Sequence, residues 1–539
     1  MEPSQPVVTI AIPVFNGGTL LDEALASASG QNTQFLEILC IDDGSTDDTL
    51  ERLRSWQRRD GRVRILQNEK NLGIHATRCR AVREAFGQYL LYLDADDYLV
   101  GNIVPQLVQV AEGEQADIIH FFCHIRPAKG TLLQPFPWAS PRHKTPLTNP
   151  KLTHAMLQGN IGHHLWGKFF RTDLYRRALD RMGKELETTR ISYEEDLLHM
   201  GFIAPMAARY QPIPVAGYCH RKRPNSASRH HALSLEKGTE AFQNFCQIVG
   251  VLARALPQPY VSSLSFGSMP AFTHHHKNWQ RWSPQELASR VHQFIAAYPG
   301  EEQGKAFSFV INHHKELFFT ALPHLPRPKP KPLANDRPPR IAVVVPGDDS
   351  LPNFYEILSN LMQELGREGS LDLIAEVPKK VAHFAGERVT VHPFMATQPF
   401  RCECWQTFLT SCRPDICLCM APWREHNYLD IGYLVLRGIP VIALEPESFW
   451  DITVLRSAKL HPIALRAYPL CAAIVCQSRK DVTSWRTSNC PCTVHIPNRS
   501  EEANAAAGQG KSDGGIRWHD LLIALQDGPQ AVETLSAKC

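Results

Sequence analysis

Residues 92–99, YLDADDYL, place three acids, Asp94, Asp96 and Asp97, in four positions at the end of an apolar run. Leu90 to Leu93 reads as a buried strand, and buried strands do not normally end in such concentrated charge. Carboxylates gather at a strand end either because they face water in a turn or because they share a cation. For an isolated D-x-D the turn is the simpler reading. The residues on either side decide between the two.

Upstream, strand and helix patterns alternate. "VVTIAIPVF" is strand-like and "LLDEALASAS" helical; "EILCIDDGS" is a strand and "DDTLERLRSWQRR" a helix. "VRILQNE", "IHATRCRAVREAF" and "QYLLYLDADD" continue the alternation, which predicts an α/β fold with a mostly parallel central sheet. Strands ending at Ile41 and Leu93 put Asp42-Asp43 and Asp94-Ala95-Asp96 at their carboxyl ends, where open α/β sheets bind ligands. Acids converging in one crevice repel unless a cation sits among them. Mg2+ or Mn2+ would accept one or two carboxylates and fill its shell with water and phosphate oxygens. The ligand is then expected to be a nucleoside diphosphate derivative whose leaving-group charge the metal neutralises.

These motifs resemble the family 2 glycosyltransferases of GT-A fold. "VVTIAIPVFNGG", "EILCIDDGSTDDT", "NEKNLG", "GQYLLYLDADD", "LWGKFFR", "YEEDLLHMGF" and "YCHRKRPNSAS" occur in the family's order over residues 7–230. The resemblance implies that Pro13, Phe15 and Asn16 wall the nucleotide-base pocket. It implies that Asp43, with Asp42 beside it, accepts from the imide N–H of uracil. Arg78 matches a position near the diphosphate, followed here by Cys79 where the family often has Asn. Asp94 would face the ribose and the metal shell, Asp96 would ligate the metal, and Asp97 would cap the next turn.

"ISYEEDLLHM" supplies the rest of the chemistry that the resemblance implies. Acids at the start of a helix are favoured by its dipole alone. In the family the second acid of the E-D pair is the general base, which carries over to Asp196 with Glu195 beside it. Asp196 would take the proton of an acceptor hydroxyl attacking the anomeric carbon, inverting its configuration. Trp166 and Lys168 resemble an acceptor-side W-x-K element; the alternative is a packing Trp and a solvated Lys. Arg221 and Arg223 could close over the diphosphate, with a solvated basic loop as the alternative.

Composition bounds the remainder. The 539 residues exceed one ordinary core, and 43% apolar with 21% charged residues is a globular balance. A net charge of +3 with no basic stripe argues against nucleic acid. No signal pattern opens the chain and no stretch is apolar for long enough to span a bilayer. A cytoplasmic protein is expected, with peripheral association at the inner face of the membrane left open. The fifteen cysteines pair only as C-x-C and are expected to be reduced, buried small residues.

Seven prolines in residues 322–340 predict a stiff spacer. The expected domains are therefore a GT-A domain over 1–232, a helical extension over 233–321, and the linker over 322–340. A Rossmann-like domain over 341–499 and a flexible tail with a short helix over 500–539 complete the chain. Residues 341–498 weakly resemble one half of a GT-B glycosyltransferase, and the absence of a second half points to binding of an acceptor, a partner or another copy. The leading functional expectation is an inverting, metal-dependent transferase using a nucleotide-diphospho-sugar, with UDP as the nucleotide. Its acceptor would be a glycan or lipid-linked glycan of cell-surface polysaccharide synthesis. A catalytically silent sugar-nucleotide-binding scaffold and a bifunctional enzyme with a second transferase domain are the competing readings.

Overall fold

The computed structural model describes residues 7–33, 35–127, 132–222, 235–277, 279–326, 337–345, 354–394, 401–420, 425–445, 460–476, 479–488, 490, 492–496, 516–527 and 529–537. The chain divides into two compact units, Met1–His275 with Ala297–Glu302, and His276–Ala296 with Gln303–Cys539.

In the first unit, β1 (Val8–Val14), α1 (Leu20–Ser29), β2 (Leu36–Asp42), α2 (Thr49–Arg59), β3 (Val63–Gln67), α3 (Ile74–Glu84) and β4 (Tyr89–Tyr92) follow the alternation. Every residue of β1, β2 and β4 is buried, as apolar runs in a sheet covered on both faces must be. These strands run parallel in the order β3-β2-β1-β4. β1 thus lies between β2 and β4, and the acid-bearing ends of those two strands flank its own. Beyond come β5 (Tyr98–Leu99), α4 (Val104–Gly113), β6 (Ile118–Arg126), β7 (Gln134–Pro135), α5 (Lys151–Leu157), β8 (Lys168–Arg171), α6 (Thr172–Met182), α7 (Lys184–Glu187), α8 (Glu195–Ile203) and β9 (Tyr210–Arg221). The sheet continues β4-β8-β6-β9-β5 with antiparallel pairs at β4-β8, β8-β6 and β9-β5, so its second half is mixed. Helices Leu235–Ala255 and Gln258–His275 complete the unit.

The second unit is an α/β layer of seven parallel strands: β10 (Arg340–Val345), β11 (Ser370–Ala375), β12 (Val389–Pro393), β13 (Ile416–Met420), β14 (Val441–Glu445), β15 (Ala473–Cys476) and β16 (Thr493–His495). Their order, β12-β11-β10-β13-β14-β15-β16, reverses beside β10 as in a Rossmann-like sheet. Residues 303–321, placed by sequence in a helical extension, group with this unit. Phe307 packs edge-on against Phe318 and Tyr433, and a Cβ at Gly432 would touch Leu322. At the other end, the expected terminal helix forms over Trp518–Asp527 and a second follows over Pro529–Ser536. Trp518, Leu521, Leu522 and Val532 enter the core of the second sheet. The expected linker and tail otherwise fall mostly outside the described residues, at 327–336 and 497–515.

The described cysteines are free, and Cys417 and Cys419 are buried in β13 as their strand pattern predicts. Among the described residues no helix is long and apolar enough to cross a membrane.

Candidate active site

The loops after β1 and β2 are tied together before any ligand is considered. The Asn16 backbone N–H donates to Ser45 Oγ (2.9 Å), and the Thr46 N–H donates to Asn16 Oδ1 (2.9 Å). Asn16 itself has a left-handed φ of 50°, which Asn tolerates better than most residues. Phe15 is 48% exposed, whereas Pro13 is buried within β1 opposite Ile41. Asp43 is almost wholly buried and holds the loop before α3. Its Oδ1 accepts from Asn68 Nδ2 (2.7 Å) and the Leu72 N–H (2.9 Å), and its Oδ2 from the Gly73 N–H (2.9 Å). Gly44 permits this approach: its φ is 72°, and a Cβ there would lie 2.8 Å from the Lys70 carbonyl carbon. Asp42 Oδ1 accepts from the Ser45 N–H (3.0 Å), while its buried Oδ2 has no hydrogen-bond partner.

Arg78 on α3 joins the two remaining sets of acids. Its Nη2 donates to Asp94 Oδ1 (3.0 Å), and its Nη1 to Glu195 Oε1 (2.9 Å) and Asp196 Oδ1 (2.6 Å). The guanidinium also lies over the Tyr92 ring, 5.6 Å from its centroid. A planar fork of donors suits three carboxylates arriving from two directions; a lysine ammonium would not span them. Glu194, just before α8, has a left-handed φ of 61°, a conformation costing a non-glycine residue about 1 kcal/mol. That bend brings Glu195 and Asp196, the first two residues of the helix, to Arg78. Burial pushes both of their carboxyl groups up in pKa, helped by Asp196 beside Glu195 and by Asp94 beside Asp196, and the Arg78 charge opposes the rise in each.

Asp97 does more than cap a turn. It is fully buried, and it accepts from Tyr218 O–H (2.8 Å), the Arg221 N–H (2.7 Å) and His220 Nδ1 (3.2 Å). The Asp94 N–H donates to Tyr218 Oη (3.2 Å), so Asp97 fixes the backbone of Asp94 through β9. A buried carboxylate must find several donors, and only the returning strand supplies them. Burial opposes protonation of His220, but the bond to Asp97 and the nearby Asp94 and Asp96 raise its pKa overall.

Trp166 stacks on Tyr218 and His220 with ring centroids 5.0 and 5.3 Å apart, so it forms part of the wall beside Asp97. Lys168 is not solvated: it is fully buried and donates to the His164 carbonyl. Burial pulls its pKa down to about 7, against the opposing effects of Cys123 and Asp196. The Arg221 guanidinium pairs with Glu23 of α1 and lies over the Tyr98 ring. Arg223 lies outside the described residues, and Asp96 is half-buried beside Asp94 in the β4–β5 turn.

The sequence reading missed His75 and His199, which meet behind Arg78 at 2.9 Å. The available signal was spacing. His75 precedes Arg78 by three residues and His199 follows Asp196 by three, one helical turn in each case.

Residues 9–182 match the family model for glycosyl transferase family 2. The chain is 26% identical over 221 residues to an uncharacterized glycosyltransferase, EpsJ, of Bacillus subtilis, covering 41% of this chain and 62% of that protein. It is 30% identical over 175 residues to a cholesterol galactosyltransferase of Borreliella burgdorferi, covering 31% of this chain and 48% of that protein. A third similarity, to the glycosyltransferase GlyG of Streptococcus pneumoniae, is 30% over 113 residues and covers 21% of this chain and 38% of that protein. The chain thus spans less than two thirds of the length of each of these relatives. With the match confined to the unit that carries the Arg78 cluster, residues 9–182 are a glycosyltransferase family 2 domain.

Proposed function

We propose that the first unit transfers a sugar, with inversion, from a nucleotide-diphospho-sugar to a hydroxyl of a glycan or lipid-linked glycan. UDP is the nucleotide of this reading, and cell-surface polysaccharide synthesis its setting. The observation that carries it is the convergence of Asp94, from the end of β4, and Asp196, from the start of α8, on one Arg78 guanidinium. Donor-side and acceptor-side acids are thereby held within one cluster, as attack on one face and departure from the other require.

Asp196 serves as the general base. Burial and the neighbouring Asp94 raise its pKa, against the Arg78 charge, which makes it a stronger base than a free carboxylate. Glu195 shares the guanidinium and keeps Asp196 oriented. Trp166, Lys168 and Arg221 border the acceptor and diphosphate sides, with Arg223 continuing the same basic segment. Phe15 and Asn16 offer an exposed edge for the base. Asp43 is the acceptor for the imide N–H in this reading: its Oδ2 takes only the Gly73 N–H and keeps a second lone pair, with Asp42 beside it.

The donor set suits Mg2+ or Mn2+. Asp94 gives one oxygen to Arg78 and keeps another, Asp96 lies two residues on, and both offer the hard oxygens those ions prefer. Bound there, the ion would neutralise charge developing on the departing diphosphate. The second unit, with one Rossmann-like sheet, is proposed to hold the acceptor, a partner or a second copy rather than a donor. A screen of nucleotide sugars for turnover, with and without chelator, tests the reading. Turnover of none would overturn it.

A further inference from the structure

Behind the acid cluster, α3 and α8 are joined by a buried chain of polar side chains that the proposed chemistry does not use. His75 Nε2 is 2.9 Å from the Leu186 carbonyl, His75 Nδ1 is 2.9 Å from His199 Nε2, and His199 Nδ1 is 2.8 Å from Tyr175 Oη. Both histidines are wholly buried. The direction of every proton follows from one end. A carbonyl only accepts, so His75 carries its proton on Nε2 and accepts on Nδ1. His199 must then donate from Nε2 and accept on Nδ1, and Tyr175 donates to it. Each group is satisfied once, with both rings neutral.

We propose that the His75–His199 hydrogen bond is a positioning clamp that sets the spacing of Arg78 and Asp196 across the reaction site. His75 sits one turn before Arg78 on α3, and His199 one turn after Asp196 on α8. The bond is thus a polar tie between the two helices one turn behind the ion pair. The charges around it are Arg78 and Glu187, and Glu187 is engaged by Arg83 of α3 (2.6 Å). Cys79 Sγ lies 3.9–4.0 Å from the two rings, and burial strongly disfavours its thiolate. Burial likewise disfavours the charged form of both imidazoles, lowering their pKa. A zinc ion shared by His75, Cys79 and His199 is the rival explanation. Two nitrogens on a tetrahedral zinc lie about 3.3 Å apart, given a Zn–N bond of about 2.0–2.1 Å. The observed 2.9 Å is a hydrogen bond.

The clamp rests on the proposed transferase reading for its kinetic consequence but not for its existence, and the test separates the two. His199→Phe keeps the ring volume and removes both nitrogens, while His199→Gln keeps a donor where Nε2 stood. For the full-length protein, well below its melting temperature, His199→Phe should lower kcat about tenfold or more with nucleotide-sugar Kd unchanged, since small misplacements of reacting groups are costly. His199→Gln should recover most of that loss. A merely structural role would lower the melting temperature of both variants and leave kcat per folded molecule intact, which would overturn the proposal. Nitrogen-15 spectra of the histidines read the clamp without turnover: both should be neutral Nε2–H tautomers at pH 6. Those tautomers in a protein that turns over no nucleotide sugar would uphold the bond and sink the transferase reading. One equivalent of zinc surviving dialysis would overturn the clamp.

Discussion

Arg78 and Asp196 meet at 2.6 Å although 118 residues separate them in the chain. That contact, with those to Glu195 and Asp94, turns three acids that would repel one another into an ordered cluster. Arg78 is nearly inaccessible, whereas Asp94 and Asp196 remain about a quarter exposed, open to an incoming substrate.

Arg78→Met should destabilise the fold by roughly 3 kcal/mol at neutral pH, because removing one partner leaves the others unpaired and partly buried. The loss should shrink as pH falls and the carboxylates protonate. Urea denaturation of variant and parent at pH 7 and pH 4.5 checks this; a loss independent of pH would mean that Arg78 acts by packing alone.

Asp196→Asn should bind the nucleotide sugar normally and lose turnover by about 10²–10⁴-fold, since the amide is nearly isosteric but cannot accept the proton. Calorimetry alongside a rate assay separates the two effects. Equal loss of both would place the base elsewhere and leave Asp196 as a donor-positioning group.

For Asp96→Ala, metal-dependent transfer should disappear while the protein still folds cooperatively in a thermal melt, because a ligand at a strand end contributes charge to the site and little to the apolar core. Survival of activity in this variant, or in excess chelator, would remove the metal from the proposal.

Lys168 gives a pH-dependent stability of calculable sign. Its folded pKa of about 7 lies below the ordinary lysine value, so between pH 7 and 10.5 the unfolded chain binds the extra proton. The parent should therefore gain stability as pH rises through that window. Lys168→Met abolishes the gain, so the parent's melting temperature should rise relative to the variant's from pH 7 to pH 10. A constant difference would mean that Lys168 titrates normally.

The second unit should need its upstream helices. Phe307, Phe318 and Leu322 are buried within it, and each such side chain contributes about 1.5–3 kcal/mol. A fragment of residues 303–539 should therefore melt at a clearly higher temperature than one of residues 341–539. Neither should cleave a nucleotide sugar. Donor turnover by either would make the protein bifunctional.

Local pattern carried much of this architecture. Apolar runs of strand length, alternating with amphipathic helices, announced both α/β sheets, because a strand covered on both faces must be apolar throughout. The order of acids at the ends of β2, β4 and the 190s segment pointed to a glycosyltransferase family 2 domain. Each of those features spans only a few residues, so local pattern makes each one legible, and their order along the chain carries the family resemblance. What Asp97, Lys168 and the two histidines do was decided only by tertiary structure. Asp97 reads as the cap of the next turn until β9 returns with Tyr218, His220 and Arg221. The lysine in "WGKFF" fits an acceptor-side element or a solvated position equally until β8 proves to be interior. His75 and His199, 124 residues apart, have no meaning as neighbours until two helices pack, because a buried polar group takes its role from whichever partner the fold brings within hydrogen-bond reach.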